Sequence, residues 1–136
     1  MIEKFAEARH RELDVMVSEI IPGADSDLYH YRSYIDSQGS ILAEMCTKKL
    51  RQHPPGFGVA CVSKTIPMIH EIRQLALKLL RHFAYQGESS VEFKLDNRNN
   101  RYKLMEINIR PVLPELHFVA AGINFPFITY LDLVEG

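Results

Sequence analysis

Tryptophan is absent from this 136-residue chain and cysteine occurs only twice. Neither a disulfide framework nor a cysteine-rich metal module can therefore organise it. Cys46 and Cys61 both fall in apolar stretches and read as buried or reduced thiols of a cytosolic protein. With no second CxxC and no paired histidines, a zinc site is not expected. An excess of charge of one sign is also missing: 16 Lys and Arg stand against 17 Asp and Glu, for a formal net charge of -1. No basic stripe dominates, which argues against nucleic acid as the main partner. Apolar runs of membrane-spanning length are lacking, the longest candidates being broken by charge or proline. The segment MIEKFAEARHRELD carries charge throughout and does not read as a signal peptide. The expectation is a cytoplasmic protein without a membrane partner.

What is present is ordinary globular composition, 46% hydrophobic and 24% charged, enough for one packed unit. Residues 2–12 read as a short polar helix. Val15, Met16, Val17, Ile20 and Ile21 read as a strand that Pro22-Gly23 ends. Two more strands are expected over Leu28–Asp36 and Ile41–Thr47, with Ser37-Gln38-Gly39-Ser40 as the turn between them. The basic residues Lys48, Lys49 and Arg51 follow, then a loop from His53 to Gly58 and a strand near Val59–Val62. A helix is expected from Pro67 to Phe83, capped by Thr65, because Ile69, Ile72, Leu75, Ala76, Leu79, Leu80 and Phe83 recur every three or four positions. Gly87 reads as its stop signal. A hairpin from Ser89 to Asn108 turns at Asp96–Asn100, and one or two short helices follow Pro111 and Pro114. This order predicts an α+β fold, a mainly antiparallel sheet with helices packed on one face.

The hairpin GESSVEFKLDNRNNRYKLMEINIRP carries the chemistry. Alternation along a strand puts Val91, Phe93 and Leu95 on one face and Glu92 and Lys94 on the other; on the return strand Met105 and Ile107 oppose Glu106 and Asn108. Pairing about Asn99 sets Glu92 across from Glu106, and facing carboxylates are tolerated when a cation lies between them. With the Asn108 amide oxygen they form a hard oxygen set suited to Mg²⁺. Arg110 shares their parity and suits a transferring phosphoryl group. The plainer alternative makes Glu92 and Glu106 solvated acids paired with Lys94 or Lys103. Lys48, Lys49 and Arg51 read as a solvated strand end, with Arg51 preferred if one contributes, and the histidines and Tyr29, Tyr31 and Tyr34 read as structural.

The motif Glu106-Ile107-Asn108-Ile109-Arg110 resembles the Glu-x-Asn-x-Arg return strand of ATP-grasp enzymes, and Glu92 matches the acidic position of the preceding strand. Val17-Ser18-Glu19-Ile20-Ile21-Pro22-Gly23 resembles the hinge lining their adenine pocket, and Ala120–Pro126 their closing helices. Among such enzymes it is most similar to carbamoyl-phosphate-synthase-like proteins and carboxylate–amine ligases. The resemblance implies metal ligation by Glu92, Glu106 and Asn108, a catalytic Arg110, and cofactor contacts from Glu19, Ile20, Ile21, Asp27 and Lys94, with Asp25 competing with Asp27 for the ribose. Family members commonly have proline after the asparagine; here it is Ile109.

By the same resemblance, residues 1–136 correspond to the C-terminal, nucleotide- and metal-binding half of an ATP-grasp domain, with the N-terminal pre-ATP-grasp domain and small subdomain absent. The implied cofactors are ATP and Mg²⁺, with Mn²⁺ as a substitute. The implied chemistry joins a carboxylate substrate to an amine, or a thiol, through an acyl-phosphate. The expected partner is the missing N-terminal half or a partner subunit, and a homo-oligomer is a consequence to test. The fragment alone is expected to be inactive. The alternative is a non-catalytic nucleotide-binding or assembly module of a split enzyme.

Overall fold

The computed structural model describes residues 7–15, 17–112 and 115–135. Five antiparallel strands form one sheet in the order β3-β2-β1-β4-β5: β1 Leu28–Ile35, β2 Ile41–His53, β3 Val59–Ile66, β4 Gly87–Asp96 and β5 Arg101–Asn108. The α+β class is as expected. Among the described residues no helix is long and apolar enough to cross a membrane.

Alternation along the strands sorts side chains between two faces. Tyr29, Tyr31, Cys46, Val91 and Phe93 form the core with Ile72, Ala76, Leu77 and Leu80 of α1 (His70–His82). The helix presents one apolar stripe, and each large aliphatic side chain on it contributes roughly 1.5–3 kcal/mol by leaving water. Two shorter helices, α2 (Glu115–Ala120) and α3 (Phe125–Tyr130), lean on one end of the opposite face. There Phe118 and Phe125 pack with Tyr34 and Met45. The long helix thus covers one face, and the two short ones leave most of the other open.

Several boundaries differ from expectation for local reasons. The segment from Val15 to Ile21 is not a strand at its described residues: it pairs with no sheet edge, and Val17 and Ile20 are 68% and 73% exposed. Residues 7–10 of the expected first helix are helical, and residues 2–6 and Met16 lie outside the described residues. Thr65 does not cap α1 but pairs with Thr47 inside β3. Pro67 biases the residue before it toward extended backbone, so the strand runs through Ile66 and the helix starts only at His70. Nor does Gly87 stop the helix. Ala84 takes the left-handed turn at φ 48°, and Gly87 opens β4. Finally, β2 continues through Lys48, Lys49 and Arg51 to His53, with Lys49 buried and Arg51 exposed.

Candidate functional site

Cross-strand register aligns Thr47, His30, Glu92 and Glu106 in one row across β2, β1, β4 and β5. Met45, Arg32, Ser90 and Asn108 make the neighbouring row. Both rows face away from α1, and all of these residues except Met45 floor an open cleft of about 910 Å³. Residues 18–23 form one wall of this cleft, the loop after β2 another, and Phe118 of α2 closes one end.

Glu92 is half-buried in the first row. Its carboxyl is pushed above the usual carboxylate range, chiefly by burial and further by Glu106, while Lys49 opposes the rise. Lys49 Nζ lies 3.3 Å from one Glu92 oxygen, and His30 Nε2 lies 3.2 Å from the other. Burial, helped by Lys49 and Arg32, lowers His30 to about 4, so at neutral pH its ring is uncharged. Glu106 is exposed, and one of its oxygens accepts from Asn108 Nδ2 at 2.7 Å. The result is an oxygen-rich set on one cleft floor, a donor chemistry that fits a small hard cation. No cluster of three or more His, Cys, Asp or Glu is found among the described residues.

The other expected residues divide. Glu19, Ile20, Ile21, Lys94 and Arg110 all line the cleft. Lys94 Nζ donates to the Gly23 carbonyl at 3.0 Å and Arg98 pairs with Glu19 at 2.7 Å, which ties the 18–23 wall to the hairpin. Arg110 is exposed and its guanidinium donates to the Pro111 carbonyl at 3.3 Å. Asp27 is not among the lining residues: its carboxylate accepts from Ala24 N and Asn97 Nδ2. The competing Asp25 instead accepts from Gln52 Nε2 at 2.6 Å and from Gly56 N at 3.2 Å. Met105, expected in the core with Ile107, is 44% exposed and lines the cleft, because the register shifts beside it.

Sequence reasoning missed Lys49 and Gln52 and preferred Arg51, which is exposed and does not line the cleft. Lys49 and Gln52 are each only 4% exposed and sit on the cleft floor. The parity of Lys49 with Thr47 was the available signal, had β2 been extended past Thr47. Gly58, at the neck of the loop after β2, is held by close approach: a Cβ there would stand 2.2 Å from the His53 backbone.

A family model for the carbamoyl-phosphate synthase L chain, ATP binding domain, matches residues 60–123. The D-aspartate ligase of Enterococcus faecium is 26% identical over 118 residues, which are 85% of this chain and 28% of that protein. Among solved structures, a pyruvate carboxylase of Rhizobium etli with the allosteric activator acetyl coenzyme A superposes with a TM-score of 0.66 at 18% identity, covering 85% of this chain and 10% of that one. The biotin carboxylase–β,γ-ATP complex of Campylobacter jejuni gives a TM-score of 0.62 at 15% identity, over 85% and 26%. This chain is similar in sequence and fold to ATP-grasp-type enzymes. The chain spans just over a quarter of the D-aspartate ligase it matches, at 28%.

Proposed function

We propose that the chain is the nucleotide- and metal-binding half of an ATP- and Mg²⁺-dependent carboxylate–amine ligase that works in the cytoplasm. The observation that carries this reading is the set of Glu92, Glu106 and Asn108 on the floor of a cleft that residues 18–23 wall. The match to an ATP-binding domain model and to D-aspartate ligase supports it.

In this reading Glu19, Ile20 and Ile21 border the adenine, and Lys94 holds the Gly23 carbonyl so that the wall keeps its distance from the hairpin. The family resemblance offers Asp27 for the ribose hydroxyls, but in this structure its carboxylate is taken by Ala24 N and Asn97 Nδ2 outside the cleft lining. Glu92, Glu106 and Asn108 hold Mg²⁺, which supplies charge neutralisation for the phosphates. Arg110 offers a planar guanidinium to the transferring group. A substrate carboxylate oxygen attacks the γ-phosphorus. The bond to the bridging oxygen breaks, and ADP leaves with that electron pair. The amine nitrogen then attacks the acyl carbon, inorganic phosphate departs, and the surplus amine proton passes to water. The protein contributes position and field and makes no covalent bond.

A partner covering the cleft follows from its rim, where Ile20 and Phe57 are 73% and 81% exposed. The pre-ATP-grasp domain and small subdomain belong to that partner, whether elsewhere in a longer chain or in a second subunit. The same rim favours the second reading, an assembly module without turnover. Calorimetry with Mg-ATP, on this chain alone and mixed with the missing half, tests both. Weak binding alone that tightens in the mixture, with Mg²⁺-dependent ADP formation, supports the ligase. Tight binding alone contradicts the half-domain reading, and tightening without ADP formation favours the module.

A further inference from the structure

We propose that Lys49 is a displaceable counter-ion that makes divalent-cation binding at Glu92 conditional on nucleotide. The inference rests on the ligase reading of the cleft and deepens it. Lys49 Nζ contacts two acceptors, Glu92 Oε1 and Gln52 Oε1, each at 3.3 Å. Both contacts are longer than a tight charge-assisted bond of roughly 2.7–2.9 Å, so the ammonium is shared between them and fixed by neither. Gln52 is itself held from behind, since its Nε2 donates to Asp25 Oδ1 at 2.6 Å, which points its amide oxygen at the ammonium. His30 Nε2 lies 3.2 Å from the other Glu92 oxygen. Glu106 is joined to Asn108 and not to a cation. Among the described residues, Lys49 is the one lysine or arginine that reaches the carboxylate pair.

That placement sets two ligands against or for one another. A cation entering the empty cleft meets two carboxylates already offset by one ammonium and must displace it. Phosphate oxygens give the ammonium an anionic partner, and a lysine side chain has the rotatable stem to turn to it while keeping Gln52. Nucleotide therefore frees Glu92 for metal, and metal frees Lys49 for nucleotide, by the reciprocity of linkage. A residue with a purely structural role would weaken both ligands when removed. A displaceable counter-ion moves them in opposite directions.

The test uses the full chain at pH 8, titrated separately with Mn²⁺ alone and with ATP in EDTA. Lys49→Met and Lys49→Gln, each checked for folding by circular dichroism, are compared with the unaltered chain and with Glu106→Gln. Expected are a rise of about tenfold in Mn²⁺ affinity and a fall of similar size in metal-free ATP affinity for both Lys49 variants, within the span usual for coupled sites. Unchanged or weakened Mn²⁺ binding in a folded Lys49→Gln overturns the counter-ion role. If Mn²⁺ binds and Glu106→Gln removes it while the Lys49 variants bind as before, only this inference falls. If no variant binds Mn²⁺, the ligand set itself falls as well.

Discussion

Glu92 and Glu106 stand directly opposite one another on β4 and β5, although the turn joining the strands is built one residue out of step with that pairing. Asp96 pairs with Arg101 and Lys94 with Lys103, a register that would set Glu92 across from Met105. A shift between Glu92 and Phe93 inserts Met105 as the extra residue and brings Glu106 into line. A bulge re-aims the side chains beyond it, and here it turns the carboxylate of Glu106 to the cleft floor and Met105 to its wall.

From that opposition, Glu106→Gln is expected to keep the fold and lose the cation. Glu106 is exposed, so its charge adds little to stability, and removing it relieves the repulsion felt at Glu92. Thermal unfolding without metal should shift by no more than about 0.5 kcal/mol equivalent, the usual range for surface substitutions. The Mg²⁺-dependent rise in unfolding temperature should vanish, and turnover of the complete enzyme should fall by orders of magnitude. A variant with normal Mg²⁺ response and activity removes Glu106 from the site.

The same residues show what a linear reading can and cannot carry. Alternation in VEFKL assigned Val91, Phe93 and Glu92 to their faces because the strand is regular there. The opposition of Glu92 and Glu106 was reached from a pairing centred on Asn99, whereas the turn is centred half a residue earlier and the bulge makes up the difference. Met105 was misassigned for that reason, since two-residue periodicity fails at a bulge. Val15 to Ile21 shows the converse: its composition suits a strand, but strands are made by partners, and no sheet edge reaches it at its described residues. Lys49 was missed because a lysine inside a strand reads as solvated until the acid that receives it, 43 positions along the chain, is folded beside it.

Arg32→Ala is expected to be among the most damaging single changes. Arg32 is 1% exposed, joins Glu88 of β4 and Glu115 of α2, and lies with its guanidinium carbon 4.1 Å from the Phe118 ring centre. Its removal leaves Glu88 buried without its cation, a loss of about 3–5 kcal/mol. Urea unfolding should report the loss, and pairing Arg32→Met with Glu88→Gln should recover part of it. A loss below 1 kcal/mol means that the cluster does not bind α2 to the sheet.

Ala84→Gly should do the reverse. Ala84 ends α1 at φ 48°, a left-handed conformation that costs a residue with a Cβ roughly 1–2 kcal/mol. Glycine removes that cost but adds freedom to the unfolded chain, so a net gain of about 0.5–1 kcal/mol in urea is expected. Any destabilisation would show that the Ala84 methyl contributes packing that outweighs the strain.

Acid stability should depend on the turn of the hairpin. Asp96 is held down to about 2, first by the Arg98 side chain, which reaches both its oxygens at 2.8 and 2.7 Å, and also by the Arg98 backbone N–H. A carboxyl depressed in the folded state binds fewer protons than in the unfolded chain, so its contribution is complete above the unfolded value of 3.8 and is lost as pH falls toward about 2. Arg98→Ala removes the main cause of the depression and also frees Glu19, which Arg98 holds at 2.7 Å. The variant should therefore unfold at a higher pH than the unaltered chain, with the difference confined to the acid limb below pH 5 and suppressed in Asp96→Asn. Equal acid midpoints in circular dichroism would mean that the Asp96–Arg98 contact does not persist in solution, and the tether between the hairpin and residues 18–23 would then rest on Lys94.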